Sequence, residues 1–166
     1  MATDFKALTK DVQQHRDEII ERMVNFSLTD ALLFRDGSAE LLEREKQIWD
    51  PILDWAKDEI QDEFKCTDSL EVPEENNASL PMLQVFLESL SDKELAAFYV
   101  AARNTKSALL AAALIKGRID GEEAFQAAYL PELWQAEKWG ADEEADRRRA
   151  ELKAELLEVE NFIKAA

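Results

Sequence analysis

At 166 residues the chain has the length of one domain and can bury a real core. Its 36 acidic residues outnumber 20 basic ones, and the formal net charge of -16 repels phosphate backbones and anionic headgroups, excluding nucleic acid and membrane as natural partners. The 46% apolar content is ordinary for a globular protein and the 34% charged content is high, so a normal interior under a densely ionised surface is expected, suited to water or to a basic protein partner.

The start, Met1 to Lys10, has neither the basic cluster nor the apolar run of a secretory signal, and it carries Asp4 where transit peptides avoid acids. No import signal is expected in it. Phe5, Leu8, Val12, Ile19 and Met23 then fall on one stripe of a first helix whose other positions are charged or polar. Ser27 to Thr29 breaks the pattern, with Ser27 or Thr29 expected to cap a short turn over 30–34 that Asp36-Gly37 ends. From Ser38 a second helix carries Leu41, Leu42, Ile48, Trp49, Ile52, Trp55, Ile60 and Phe64. Asp50-Pro51 interrupts it with a cap and a first-turn proline, so a kink or a restart is expected there.

From Cys66 to Ser79 the periodicity fails, and Pro73, Asn76 and Asn77 mark a loop, with one short extended piece expected within 66–73 around Leu70 and Val72. This loop is the expected hinge. Ser79 and Pro81 open a short helix to Ser89, and Ser91 with Glu94 has the spacing of a capping box for the next one. The longest apolar stretch, Ser107 to Ile115, is bracketed by lysines and far shorter than the ~20 residues that cross a bilayer, so it reads as a buried helix. Gly117 is expected to end it, and Asp120 with Glu123 repeats the capping box. Leu133 to Lys138 makes a further turn or two ended by Gly140, and a long acidic helix follows from Asp142 with Leu152, Leu156, Val159 and Ile163 on one face. The expected fold class is all-α: a compact domain of about seven helices.

Chemistry is scarce in this inventory. His15 is the single histidine, which works against triads, zinc sites and carboxylate-histidine metal sites, and it reads as a solvated helix residue. Cys66 is the single cysteine, so neither an internal disulfide nor a thiolate cluster can form and a reducing compartment fits. Gly37, Gly117, Gly121 and Gly140 are too scattered to cradle a phosphate. Carboxylate pairs abound, but 36 acids on helices produce them by chance. Arg147, Arg148 and Arg149 diverge by about 100 degrees each around a helix and have Asp146 and Glu151 beside them, which reads as a solvated face. Trp49 and Trp55 flank Asp50-Pro51, and Trp134 and Trp139 flank 135–138. Rings five or six positions apart point to different sides of a helix, so core packing and an exposed interface anchor are both open for them.

Three ordered blocks give the sequence a resemblance. Thr29-Asp30-Ala31-Leu32-Leu33-Phe34-Arg35 precedes Trp49-Asp50-Pro51-Ile52-Leu53-Asp54-Trp55-Ala56. Lys106-Ser107 through Gly117-Arg118-Ile119 and Glu122-Glu123-Ala124 then leads to Trp134-Gln135-Ala136-Glu137-Lys138-Trp139-Gly140. In this order they resemble the assembly chaperones of the ATP synthase alpha subunit, over nearly the whole chain. The resemblance implies a chaperone that binds the free alpha subunit, shields it from aggregation and releases it to the beta subunit, without catalysis and without a cofactor or metal. It implies a single helical chaperone domain over 1–166, lacking the strand-rich N-terminal region usual in the family.

By the same resemblance Glu132, Trp134, Gln135, Glu137 and Trp139 would face the partner. Family members place several acids ahead of that aromatic, whereas here Pro131 and Leu133 flank Glu132 alone. Trp49, Asp50, Pro51 and Trp55 would set a helix junction, and Asp30 and Arg35, five apart around a turn that ends at Gly37, would form a structural ion pair. The expected location is the cytoplasm of a bacterium, or the mitochondrial matrix for a processed eukaryotic form. The alternatives are an acidic helical adaptor or nucleic-acid mimic that blocks a basic protein, and, further off, a carboxylate-based hydrolase or lyase.

Overall fold

The computed structural model describes residues 3–35, 38–61, 63–140 and 142–165. Eight α-helices follow one another: α1 Phe5–Phe26, α2 Ala39–Ile60, α3 Leu80–Glu88, α4 Asp92–Thr105, α5 Ala108–Ile115, α6 Gly121–Ala128, α7 Leu130–Trp139 and α8 Glu143–Lys164. The all-α expectation holds, with eight helices against about seven, and among the described residues the only β pairing is a single parallel bridge between Phe34 and Thr67. No helix among the described residues is long and apolar enough to cross a membrane.

The centre is α5. Its sequence, Ala-Leu-Leu-Ala-Ala-Ala-Leu-Ile, carries no polar face, and all eight residues are buried. A helix apolar all round must be enclosed, and α2, α4, α6 and α8 enclose it. Ala96, Ala97, Ala101 and Ala102 of α4 and the three alanines Ala111 to Ala113 of α5 are all buried, so small side chains let these two helices pack at short range. The helix α1 lies on α4 and α3, and α8 closes the other side against α4 and α6.

The helix ends follow the sequence closely. Ser91 and Asp120 each head a complete capping box with Glu94 and Glu123, Ser38 caps α2, and Gly117 leaves α5 at φ 75°. The cap of the turn over Ala31–Leu33 is a correction: it is Asp30, whose carboxylate accepts from Leu32 N–H, while Ser27 and Thr29 turn back to the carbonyls of Val24 and Phe26. Asp36-Gly37, the expected end of that turn, lies outside the described residues.

Further expectations change. The helix α2 runs unbroken through Pro51, with no restart, because the Asp50 carboxylate is held by Arg35 instead of capping a new helix. The break falls in α1, at exposed His15 (φ -128°, ψ 30°), where no glycine or proline announces it. Ser79 does not cap α3; its hydroxyl donates to the Glu63 carbonyl. The loop expected to act as a hinge is stapled: buried Asn76 bonds both the N–H and the carbonyl of Lys65, and Thr67 exchanges backbone bonds with Leu33 and Arg35. The extended piece is thus centred on Thr67, and Leu70 beyond it stands 99% exposed.

Candidate partner-binding site

The C-terminal tryptophan block forms α7, opened by Pro131 in its first turn and closed by Gly140 at φ 94°. Only Leu130 on this helix is fully buried. Its acids are spent within the chain. One oxygen of Glu132 accepts from both Arg148 (2.6 Å) and Arg149 (2.7 Å) of α8. Burial pushes the Glu132 carboxyl up, but the two guanidinium groups outweigh it and hold its pKa below the ordinary range. Arg149 is 6% exposed and also grips Asp146 at 2.6 Å, so the reading of the arginine run as a solvated face holds for Arg147 and Arg148 but not for Arg149.

On the opposite flank Glu137 pairs with Arg44 of α2 at 2.8 Å, and Lys138 pairs with Glu40 at 2.9 Å. Arg44 holds the Glu137 pKa down, and Lys138 does the same for Glu40. These are exposed pairs, screened by solvent, that contribute little to stability. Their importance is geometric, since α7 is clamped to α8 at its start and to α2 at its end.

The two rings of α7 part company as five-residue spacing requires. Trp134 is half-buried, and its buried Nε1 makes no hydrogen bond within 3.5 Å, although it lies near enough to the Glu40 carboxylate to help lower that pKa. Trp139 is 83% exposed. Gln135 is exposed as well. The five residues expected at the partner face therefore share one short helix but divide by role: Glu132 and Glu137 anchor it, Trp134 packs it, and Gln135 and Trp139 face water.

The other two blocks meet through Arg35. Its Nε donates to the Leu32 carbonyl, its Nη2 reaches Asp50 at 2.9 Å, and its guanidinium lies 5.3 Å from the centre of the Trp49 ring. The expected Asp30–Arg35 pair is not formed; Asp30 is fully buried and faces the other way. It accepts from Leu109 N–H at the start of α5 as well as from Leu32 N–H, and burial raises its pKa to about 6 despite these bonds and those to Ser107 and Ala108. Trp49 is buried with its Nε1 donating to the Ala127 carbonyl at 2.8 Å, and Trp55 is half-buried. Among the described residues no group of three His, Cys, Asp or Glu side chains is arranged to hold a metal ion.

Sequence comparison bears on these blocks directly. The model of the ATP12 chaperone protein family matches residues 1–57, which include the first two blocks. The solved structure of Atp12 from Paracoccus denitrificans, and that of a point mutant of it, each superpose with a TM-score of 0.89 at 28% identity, over 95% of this chain and 68% of theirs. Over residues 1–57 the chain matches the ATP12 chaperone family, and over nearly its whole length it shares the fold of Atp12. A candidate chaperone from Agrobacterium tumefaciens, 32% identical, superposes with a TM-score of 0.80 over 92% of this chain and 57% of its own. The ATP12 fold thus extends past residue 57, through the third block and α7.

Arg44 and Arg149, which fix the pose of α7, were not singled out by sequence reasoning as partners of Glu137 and Glu132. Arg44 lies 93 residues from Glu137, and helical spacing carries no signal of such a contact. Arg149 had one: Asp146 at three residues' distance, which the structure pairs with it.

Proposed function

We propose that this chain is an ATP12-type chaperone that binds the free alpha subunit of the ATP synthase catalytic head and keeps it from aggregating until a beta subunit takes its place. The observation that carries the reading is the match to the ATP12 family model over residues 1–57 together with the fold shared with Atp12, with the three blocks in order along the chain. The partner-facing surface is the outer side of α7, where Trp139 offers a large aromatic ring to a partner at the end of a helix clamped on both flanks. A rigid helix loses little conformational entropy on binding, and exposed tryptophan is among the strongest interface anchors. The excess of acid over the whole chain favours approach to a basic surface. Release then needs only a neighbour that binds the same alpha surface more tightly.

The test is light scattering of isolated alpha subunit during dilution or mild heating, at equal molarity of this chain, with a similarly acidic helical protein as control. Specific suppression, reversed by added beta subunit, is expected. Suppression equal to that of the control would refute the reading. Suppression that beta does not reverse would refute the handover.

A further inference from the structure

Pro51 alters α2 in two ways. It has no N–H, so the carbonyl of Gln47 one turn earlier lacks its helical donor. Its ring is also exposed, on the wall of a groove of about 350 Å³ between α2 and α6. Gln47, Ile48 and Pro51 form that wall, over a floor of Ile52, Ile119 and Ala127. Ile48 stands 37% exposed, and the bond from Trp49 Nε1 to the Ala127 carbonyl sets the separation of the two helices. A mainly apolar hollow, lined by a residue whose carbonyl lacks its helical donor, suits a ligand that brings both an apolar group and an N–H.

Past Arg118 and Ile119 the groove continues into a second hollow of about 200 Å³, floored by Leu114, Ile115 and Ile163; the two share Arg118, Ile119 and Glu123. The rim is acidic. Glu122 is paired with Lys153 and Glu160 with Lys164, but Asp120 and Glu123 use their carboxylates on each other's backbone amides and make no ion pair among the described residues. With Arg118 as the remaining cation, the rim is left net negative.

We propose that this groove receives an extended, basic segment of a partner polypeptide. One apolar side chain of the segment fills the α2–α6 hollow and a second the hollow beyond Ile119. A main-chain N–H between them donates to the Gln47 carbonyl, and a flanking lysine or arginine meets Asp120 and Glu123. Charge complementarity decides for a basic segment, since both the rim and the chain of net charge -16 repel an acidic one. The proposal rests on the chaperone reading in taking the occupant to be a protein client; the surface is separate from α7.

The test uses the full chain and two fluorescein-labelled peptide amides, Lys-Leu-Ser-Leu-Lys and Glu-Leu-Ser-Leu-Glu, in fluorescence anisotropy titrations. The basic peptide is expected to bind and the acidic one not. Pro51→Ala supplies the missing N–H, so it should raise the melting temperature yet weaken the basic peptide about fivefold, a pairing that a purely structural proline would not give. Ile48→Asp should weaken it about tenfold without unfolding the chain. Equal affinity for the two peptides, no binding of the basic one, or undiminished binding by Pro51→Ala overturns the proposal. So does a dimer in sedimentation that Ile48→Asp dissociates, since a second copy would then be the occupant. Absent peptide binding with alpha-subunit suppression intact sinks the groove alone, and the reverse sinks the alpha-subunit reading alone.

Discussion

Replacing Gly121 by alanine sets two forces of opposite sign against each other. Gly121 is the first residue of α6, and helix propensity alone favours alanine there, by up to about 1 kcal/mol. The structure opposes it. A Cβ at Gly121 would stand 3.0 Å from the Leu156 carbonyl oxygen, 3.0 Å from a Leu157 methyl carbon and 3.1 Å from Glu160 Oε1. The backbone carbonyl cannot swing aside, so α6 must lift from α8. Overpacking of this kind costs about 1–3 kcal/mol. The bond from Gly121 N–H to Glu160, 2.8 Å long, would be stretched as well, at about 1 kcal/mol. A net loss of about 2 kcal/mol is expected, or a fall in Tm of roughly 4–8 °C at 2–4 °C per kcal/mol for a chain of this size. Urea unfolding should show a lower midpoint at unchanged slope. A Gly121→Ala variant as stable as the parent, or more so, would mean that α6 does not sit that close to α8. Gly117→Ala is the contrast: its Cβ meets nothing within 4 Å, but at φ 75° it costs about 1 kcal/mol through the backbone alone.

Arg149→Ala is expected to lose about 2 kcal/mol by removing a buried guanidinium and its bonds to Asp146 and to Glu132, which keeps Arg148 alone, whereas Arg147→Ala stays within about 0.5 kcal/mol in the same urea titration; equal effects would return Arg149 to the solvated face. Arg16→Ala uncaps the Leu87, Glu88 and Leu90 carbonyls at the end of α3 and releases Asp92, for an expected loss of about 2 kcal/mol; an unchanged midpoint would show that solvent serves those carbonyls as well. Trp139→Ala should leave the melting temperature within 2–3 °C, a change of about 1 kcal/mol, while abolishing suppression of alpha-subunit aggregation; full suppression by a folded variant removes the ring from the interface. Asp30 has a folded pKa near 6, raised above its ordinary value of 3.8, so the folded state holds its proton more tightly. Its contribution is therefore greatest below pH ~4 and falls by about 3 kcal/mol as pH rises through 6. Measured against Asp30→Asn, the parent should lose relative stability between pH 4 and 7, and a pH-independent difference would refute the buried ionisation.

Local devices were legible in the sequence and distant ones were not. Both capping boxes, the glycine ends at Gly117 and Gly140 and the buried helix from Ser107 are set within a few residues of chain, where propensity and hydrogen-bonding rules act directly. Asp50-Pro51 misled because the cap rule is local, while the partner that claims Asp50 is Arg35, fifteen residues away and beside the Trp49 ring. The same holds for Asp30. Its spacing from Arg35 suggested an ion pair, but its carboxylate closes the start of α5, whose amides lie 79 residues on. In α7 the residues were legible and their roles were not, since Glu132 and Glu137 read as free acids until Arg149 and Arg44 are seen to hold them.

That division bears on how the chain would hold a partner. If Glu132 and Glu137 met the partner directly, they would first have to leave Arg149 and Arg44, and exchanging one ion pair for another gains little. Their carboxylates instead set the direction of α7, and with it that of Trp139, the one exposed large aromatic ring among the described residues. Trp134 and Trp139, five residues apart, lie about 140 degrees from each other around the helix. The same rotation that turns Trp134 into the contact with α2 therefore turns Trp139 out. Loosening either clamp would let α7 roll and carry the Trp139 ring off its bearing, so Arg44→Ala should weaken alpha-subunit binding with little change in stability, despite the arginine being no contact itself. Trp139 fluorescence, isolated by replacing the other three tryptophans with phenylalanine, would report the roll as a changed emission maximum, and an Arg44→Ala variant with unaltered emission and unaltered binding would show that α7 holds its pose without that clamp.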